Sequence, residues 1–371
     1  MSAPAKLPRW AELGLLPLVN LGAALLLAGV VVRILGESPW AAGKLLLAGS
    51  LGSQEGLGYS LYYATNFMFT GLAVAVAYHA GLFNIGAEGQ AYIGGLGTGL
   101  VALWLGDRAP LLVVLPAAIL GGALFGAAWA FIPAWLQARR GSHIVITTIM
   151  FNFIAASLMT YLLVSVLIKP GQQSPETREF GAGAVMPAAH ELLAKIGLTF
   201  AATPLNLAFV LALGAAALVW VLVWRTRWGY ALRVAGQNQA AAVYAGISPP
   251  RIIVQSMLLS GALAGCLGLN ELLGSQHRIL IDFPAGAGFV GIAVALMGRN
   301  HPVGIFLSAV LFGALAQGGS QLAFDMPKIN RDMVVVIQGL VILFCGALEN
   351  VFRAPLAAAF ARFAKNPEPE A

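Results

Sequence analysis

PLLVVLPAAILGGALFGAAWAFIPAWL, residues 110–136, holds no charged side chain. About 20 consecutive apolar residues carry an α-helix across the hydrocarbon core of a bilayer, because only a helix satisfies its own backbone polar groups there. The stretch also carries Gly122-x-x-x-Gly126, a spacing that lets helix backbones approach closely where lipid removes the hydrophobic drive to associate. Gly95-x-x-x-Gly99 and Gly261-x-x-x-Gly265 repeat it elsewhere in the chain.

The whole composition agrees with this run. Of 371 residues, 59% are hydrophobic and 10% are charged, and the mean hydropathy is +0.83. A water-soluble domain carries about 25% charged residues, so a soluble enzyme is excluded. The chain reads as an all-α polytopic membrane protein, one transmembrane domain over 1–371, with ten expected spans: 14–35, 61–80, 84–106, 110–136, 144–168, 204–224, 252–273, 286–298, 302–324 and 332–352. The first follows Lys6 and Arg9 and is read as a retained span, being longer than a signal-peptide core. The eighth is short for a crossing. Residues 36–60 and 169–203 read as polar connections, the second an exposed loop with one short surface helix.

With the N-terminus in the cytoplasm, that side receives Lys6, Arg9, Arg139, Arg140, Arg225, Arg227, Arg233, Arg251, Arg299, Arg353, Arg362 and Lys365, against Glu12, Glu349, Glu368 and Glu370. Basic residues favour cytoplasmic loops. The net charge of +6 therefore reflects orientation and not nucleic-acid binding, and both termini are expected inside. Five spans fall in 1–203, with an extracytoplasmic loop, and five in 204–371. An odd number per half makes the halves inverted repeats.

Two segments carry chemistry. Gly81-Leu82-Phe83-Asn84-Ile85-Gly86-Ala87-Glu88-Gly89-Gln90 opens a span, is interrupted by glycines, and places Glu88 within the membrane. A charged group there costs about 2.5–3.5 kcal/mol and needs a partner, a wet cavity or protonation. On a helix Asn84 and Glu88 would share one face. Either they border a polar translocation pathway, or Glu88 pins a broken helix to its neighbour. Other in-span polar groups are Asn66, Thr70, Thr148, Asn152, Asn270, Gln317 and Gln338. Interhelical hydrogen bonding is the stronger reading for any one of them. Together they describe a passage lined with amides and hydroxyls, suited to a neutral cargo. Phe67, Phe83, Phe151 and Phe153 lie close by in sequence and offer faces for a flat ring, although phenylalanine at helical spacing is more often core or lipid-facing.

The second segment, residues 226–250, is alanine-rich and free of acids. It predicts two short helices meeting at a turn at Gly236, the second ended by Pro249-Pro250. Such an element suits docking of a soluble partner. No G-x-x-x-x-G-K-[ST] phosphate loop is present, so the chain has no ATP site of its own. Cys266 and Cys345 lie in apolar runs with no metal or redox spacing. His79, His143 and His301 form no ligand pair or nucleophile-base signature, which leaves an embedded enzyme a poor reading. A proton-coupled transporter using Glu88 is the main rival, but it leaves the acid-free segment unexplained.

On GLFNIGAEGQ (81–90), GSHIVITTIMFNFIA (141–155), RWGYALRVAGQNQAAAVYAGI (227–247), GFVGIAVALMGRNHPVG (288–304) and VVVIQGLVILF (334–344), the chain resembles the permeases of ABC importers related to those for ribose and branched-chain amino acids, in the nucleoside and simple-sugar branch. The resemblance implies ten spans in inverted repeats and a second permease from a different gene. It also implies two cytoplasmic ABC ATPases, which use ATP and Mg, and an extracytoplasmic substrate-binding lipoprotein at the bacterial inner membrane. It implies a coupling role for Arg233, Gly236, Asn238, Ala241, Ala242 and Gly246. On the residues themselves, Phe83, Asn84, Glu88, Gln90, Asn152 and Asn270 are the expected translocation-pathway residues, and no cofactor is expected in this chain. Gly236-Gln237-Asn238 fits the family pattern only loosely, since a short polar residue usually follows that glycine.

Overall fold

A computed structural model describes residues 15–326 and 331–343, together with positions 8, 11, 328, 329, 353, 355–358 and 360. The regular elements among the described residues are all helices, apart from two isolated β-bridges, Glu176 to Leu280 and Ala188 to Asn206. The helices are α1 (Leu16–Ile34), α2 (Pro39–Leu51), α3 (Gln54–His79), α4 (Ala87–Leu105), α5 (Leu111–Arg140), α6 (Ile144–Tyr161), α7 (Ala189–Ala194), α8 (Ala208–Arg225), α9 (Arg227–Gln237), α10 (Gln239–Tyr244), α11 (Pro249–Gly265), α12 (Ala287–Met297), α13 (Pro302–Asp325) and α14 (Arg331–Ile342). Wider π turns prolong α6 over Leu162–Val166 and follow α11 over Leu269–Gln276.

Each of the ten expected spans contains a helix. Among the described residues six helices are long and apolar enough to cross a membrane, or up to seven when α1 and α2, bent by 119°, count as one broken span. The expected polar connection 36–60 is wrong in detail. After a turn at Gly36 (φ +80°), α2 forms from an apolar sequence with Pro at its start. Ser53 then caps α3, accepting from Gly56 N at 2.9 Å. The terminal charges Lys6, Arg9, Glu12, Glu349, Arg362, Lys365, Glu368 and Glu370, the end of the tenth span and Cys345 lie outside the described residues.

The chain forms two compact units. In the first, Met1–Gly49 with Leu315–Ala371, the core gathers Ala28, Val32, Ala42, Leu322, Met326, Ile329, Val334 and Ile337. The second, Ser50–Ala314, holds the sites below.

Its packing inverts the order of a soluble protein. α3 has the lowest mean hydropathy of the crossing helices, 1.2, yet 89% of its span is buried. α5, at 2.3, is only 22% buried and turns Leu112, Leu120 and Leu124 outward. With lipid as solvent, leucine gains nothing by hiding, and polar groups gain partners by going inside. Glycine provides the close approach that packing needs there. A Cβ at Gly261 would fall on the carbonyl of Gly126, one at Gly265 on that of Gly122, and one at Gly94 on Gly265 Cα. These glycines bring α4, α5 and α11 into backbone contact.

Candidate functional site

The segment between α3 and α4 is not helical up to Gly86, so the expected shared helix face of Asn84 and Glu88 does not exist. Asn84 precedes the helix. Its Oδ1 accepts from Gly86 N at 2.8 Å, and its Nδ2 donates to Gln90 Oε1 and to Ser260 Oγ, both at 2.9 Å. Ser260 in turn donates to Ala73 O at 2.6 Å. Asn152 on α6 closes the other side, donating to Ile85 O and accepting from Gly89 N, both at 2.9 Å. Backbone groups freed by the missing turn are thus satisfied by side-chain amides, as membrane depth requires. Asn84 and Gln90 are buried; Phe83, Glu88 and Asn152 are partly open.

Glu88 meets a second broken helix. Its Oε1 accepts from Gly286 N at 2.9 Å and its Oε2 from Gly288 N at 2.7 Å. Those are the first free N–H groups of α12, the positive end of a helix dipole. Residues 277–286 descend beside α4 to reach it. Ile279 lies against Gly99 and Phe283 against Gly95, and the Tyr92 hydroxyl accepts from Asp282 N at 2.6 Å. The descent holds three non-glycine residues at positive φ: His277 (54°), Asp282 (56°) and Ala285 (48°). Such conformations persist where surrounding structure enforces them.

Depth follows from α3. Thr70 Oγ1 donates to Ala287 O at 2.9 Å, and His79, nine residues later, bonds through Nε2 to Asn300 O at 3.0 Å. At 1.5 Å per residue α12 therefore starts roughly 14 Å from the end of α3. α4 and α12 both begin inside the bundle and leave it in opposite directions, their starts joined by Glu88.

A second polar cluster lies further along α3. Asn270 donates to Asn66 Oδ1 at 2.8 Å and to Tyr62 O at 3.1 Å, and accepts from Asn206 Nδ2 at 2.9 Å. Asn66 also donates to the Glu271 carboxylate. Glu271 is buried, so a second carboxylate besides Glu88 lies inside. The residues Asn270 and Glu271 stand on the π turns, whose wider winding alters which side chains face α3. The sequence offered a weak signal for this, the Asn-Glu pair at the end of an apolar run.

Segment 226–250 forms two short helices, as expected, but the break falls at Asn238. That residue caps α10, accepting from Ala241 N at 3.0 Å. Gly236 lies within α9, where a Cβ would fall on His79 O, with Gly81 N and Ala80 C close behind. α10 ends before Gly246 (φ +74°), and Pro249 starts α11 instead of stopping α10. Ala242 is buried, while Asn238, Ala241 and Gly246 are exposed. Arg233 stays on α9, its Nε donating to Gly229 O at 3.4 Å. Sequence reading missed the outward face: Tyr244 is 93% exposed and Val243 and Tyr230 stand out beside it. The loops at this end, 137–143, 225–251 and 298–301, carry seven arginines and no acid; the opposite end mixes both signs.

Asn84, Glu88, Gln90 and Asn152 are therefore brought together and Asn270 belongs to the second cluster, while Phe83 lines a cavity shared with Arg233, Gly236 and Gln237, where Gly236 packs on Gly81.

Residues 56–346 match the family described as branched-chain amino acid transport system / permease component. The glucose ABC transporter permease protein TsgB13 of Haloferax volcanii is 34% identical over 96% of this chain and 92% of its own length. The guanosine ABC transporter permease protein NupP of Bacillus subtilis is 34% identical over 89% of this chain and 92% of its own. The nucleoside ABC transporter permease protein NupB of Lactococcus lactis is 33% identical over 89% and 90%.

Proposed function

Since the chain belongs to the family of permease components of branched-chain amino acid transport systems, a transport subunit and not an enzyme, we propose that it moves a nucleoside through the cytoplasmic membrane of a bacterium as one permease of an ABC importer. One observation carries the neutral-cargo reading. Glu88 and Glu271, the carboxylates described within the bundle, are held by donors of the fold, so neither offers a free charge to a cargo. Similarity to guanosine and nucleoside permeases selects a nucleoside; similarity to a glucose permease supports a sugar as the second reading.

In this mechanism the arginine-rich end is cytoplasmic, both termini lie on that side, and the ten helical segments form two inverted halves. α3 with α4 and α11 with α12 are the matching pairs, each a helix, a non-helical return and a helix begun inside. α9 and α10 dock on a separate ATPase, which holds ATP and Mg. Tyr244 and Val243 face that partner, and Gly236 passes its motion to the Gly81 junction. A second permease and a substrate-binding lipoprotein complete the importer. Glu88, held by two backbone donors, serves as a fixed joint and not as a titrating group.

The test is uptake of labelled uridine, adenosine, guanosine and ribose by cells with and without this gene, before and after ATP depletion at clamped ion gradients. Gene-dependent, ATP-dependent nucleoside uptake is expected. Uptake that survives depletion and follows the proton gradient would overturn the assignment.

A further inference from the structure

α4 reaches the surface only in its last turn, and there a cavity of about 540 Å³ opens. Its floor is aliphatic: Leu100 and Leu103 from α4, Leu167 and Ile168 from the end of α6. The chain beside that floor is apolar and outward-facing, with Val164, Val166 and Leu112 all exposed, as lipid contact demands. The rim is basic. Lys169 and Arg178 line it, and Arg108 stands one turn beyond Trp104, its guanidinium 5.9 Å from the Trp104 ring centre and bonded to Trp104 O at 2.7 Å. Arg178 is held by Asp107 at 3.0 Å and by Leu103 O at 2.6 Å. The Lys169 ammonium has no protein partner among the described residues.

Trp104 is 66% exposed, and tryptophan beside arginine marks the water boundary of a membrane. Trp135 with Arg140 and Trp220 with Arg225 make the same pair at the opposite end. The cavity therefore has aliphatic walls below an interfacial tryptophan and two cations, Lys169 and Arg178, among its lining residues; the flanking acids are engaged elsewhere, Asp107 with Arg178 and Glu176 and Glu179 with Arg278.

We propose that this cavity is a binding site for an anionic phospholipid, one acyl chain lying on Leu100, Leu103, Leu167 and Ile168. The phosphodiester meets Lys169, with Arg108 and Arg178 alongside. A Lys or Arg near a membrane surface attracts an anionic headgroup by about 1 kcal/mol, and the volume is in the range of small-molecule sites. A soluble partner's acidic side chain would satisfy the rim but leave the aliphatic floor unfilled.

The experiment places the purified protein in nanodiscs of equal phosphatidylglycerol and phosphatidylcholine and counts retained lipids by native mass spectrometry. Preferential retention of phosphatidylglycerol is expected. Lys169→Gln and Arg108→Gln should each reduce it roughly fivefold, and Leu100→Trp, which fills the floor, should reduce retention of both lipids. Thermal unfolding in the same discs checks that each variant is folded. Equal retention of the two lipids by the native protein, or unchanged phosphatidylglycerol retention in both rim variants, overturns the site. Loss of binding-protein-stimulated transport with lipid retention unchanged also overturns it, assigning the rim to a protein contact.

Discussion

Single atoms separate the roles of the polar residues. Glu88 presents one oxygen to each of two N–H groups on α12, so Glu88→Gln keeps one acceptor and turns the other contact into two facing donors. A loss of about 1.5–3 kcal/mol is expected for the charge-assisted bonds, read as a lower unfolding temperature in detergent, with uptake reduced at every pH to the same degree. A proton-coupled carrier would instead lose the pH dependence of its uptake in this variant. Gly236 is a matter of space. Gly236→Val should place its side chain on the His79–Gly81 backbone and stop ATP-driven uptake while the protein still reaches the membrane, a result that immunoblotting and transport assays distinguish. Much of this was legible beforehand. Three glycines around Asn84 announced a broken helix, and a carboxylate among them announced a partner. The partner was hidden, because Gly286 and Gly288 contribute only backbone N–H groups, which no side-chain pattern advertises.

At the scale of elements, the coupling hairpin divides into an anchored and an open face. Tyr244→Ala removes a side chain that is 93% exposed. Stability should therefore stay within about 0.5 kcal/mol, while co-purification of the ATPase and its stimulation by cargo should fall. Asn238→Ala removes the cap of α10 and should cost about 1 kcal/mol locally, visible as faster amide exchange over residues 239–244. The sequence indicated two helices here but put the joint at Gly236. Glycine is a poor helix residue, yet α9 keeps it because the neighbouring backbone leaves no room for a side chain. That pressure comes from residues some 150 positions earlier and is invisible in a local reading. The same holds for α2: its residues were read as polar connection, though the run Leu45-Leu46-Leu47-Ala48 is apolar and helical.

For the whole molecule, charge distribution makes the sidedness testable. Single cysteines at Ala240 or Ala245, on the arginine-rich end, should react with a membrane-impermeant maleimide only after cells are opened, and cysteines at Gln172 or Lys195 should react in intact cells. The reverse pattern would turn the importer upside down. Six of the ten expected spans prove, among the described residues, to be helices long and apolar enough to cross, and they were visible because hydropathy alone marks such a helix. Their packing was not, since the most buried of these six candidate spans, α3, is the least hydrophobic of them.

That last feature bears on how the protein is made. Asn66 finds its partner Glu271 205 residues later in the chain. At about 5–20 residues per second of synthesis, α3 waits roughly 10–40 seconds with its amides unmatched. A helix so weakly apolar gains little by slipping alone into lipid. The inserting machinery must therefore shelter α3, or leave it loosely seated, until α11 emerges to claim it. A single cysteine placed within α3 should accordingly react with a water-soluble maleimide in nascent chains halted before residue 249 and be shielded in chains halted beyond residue 276.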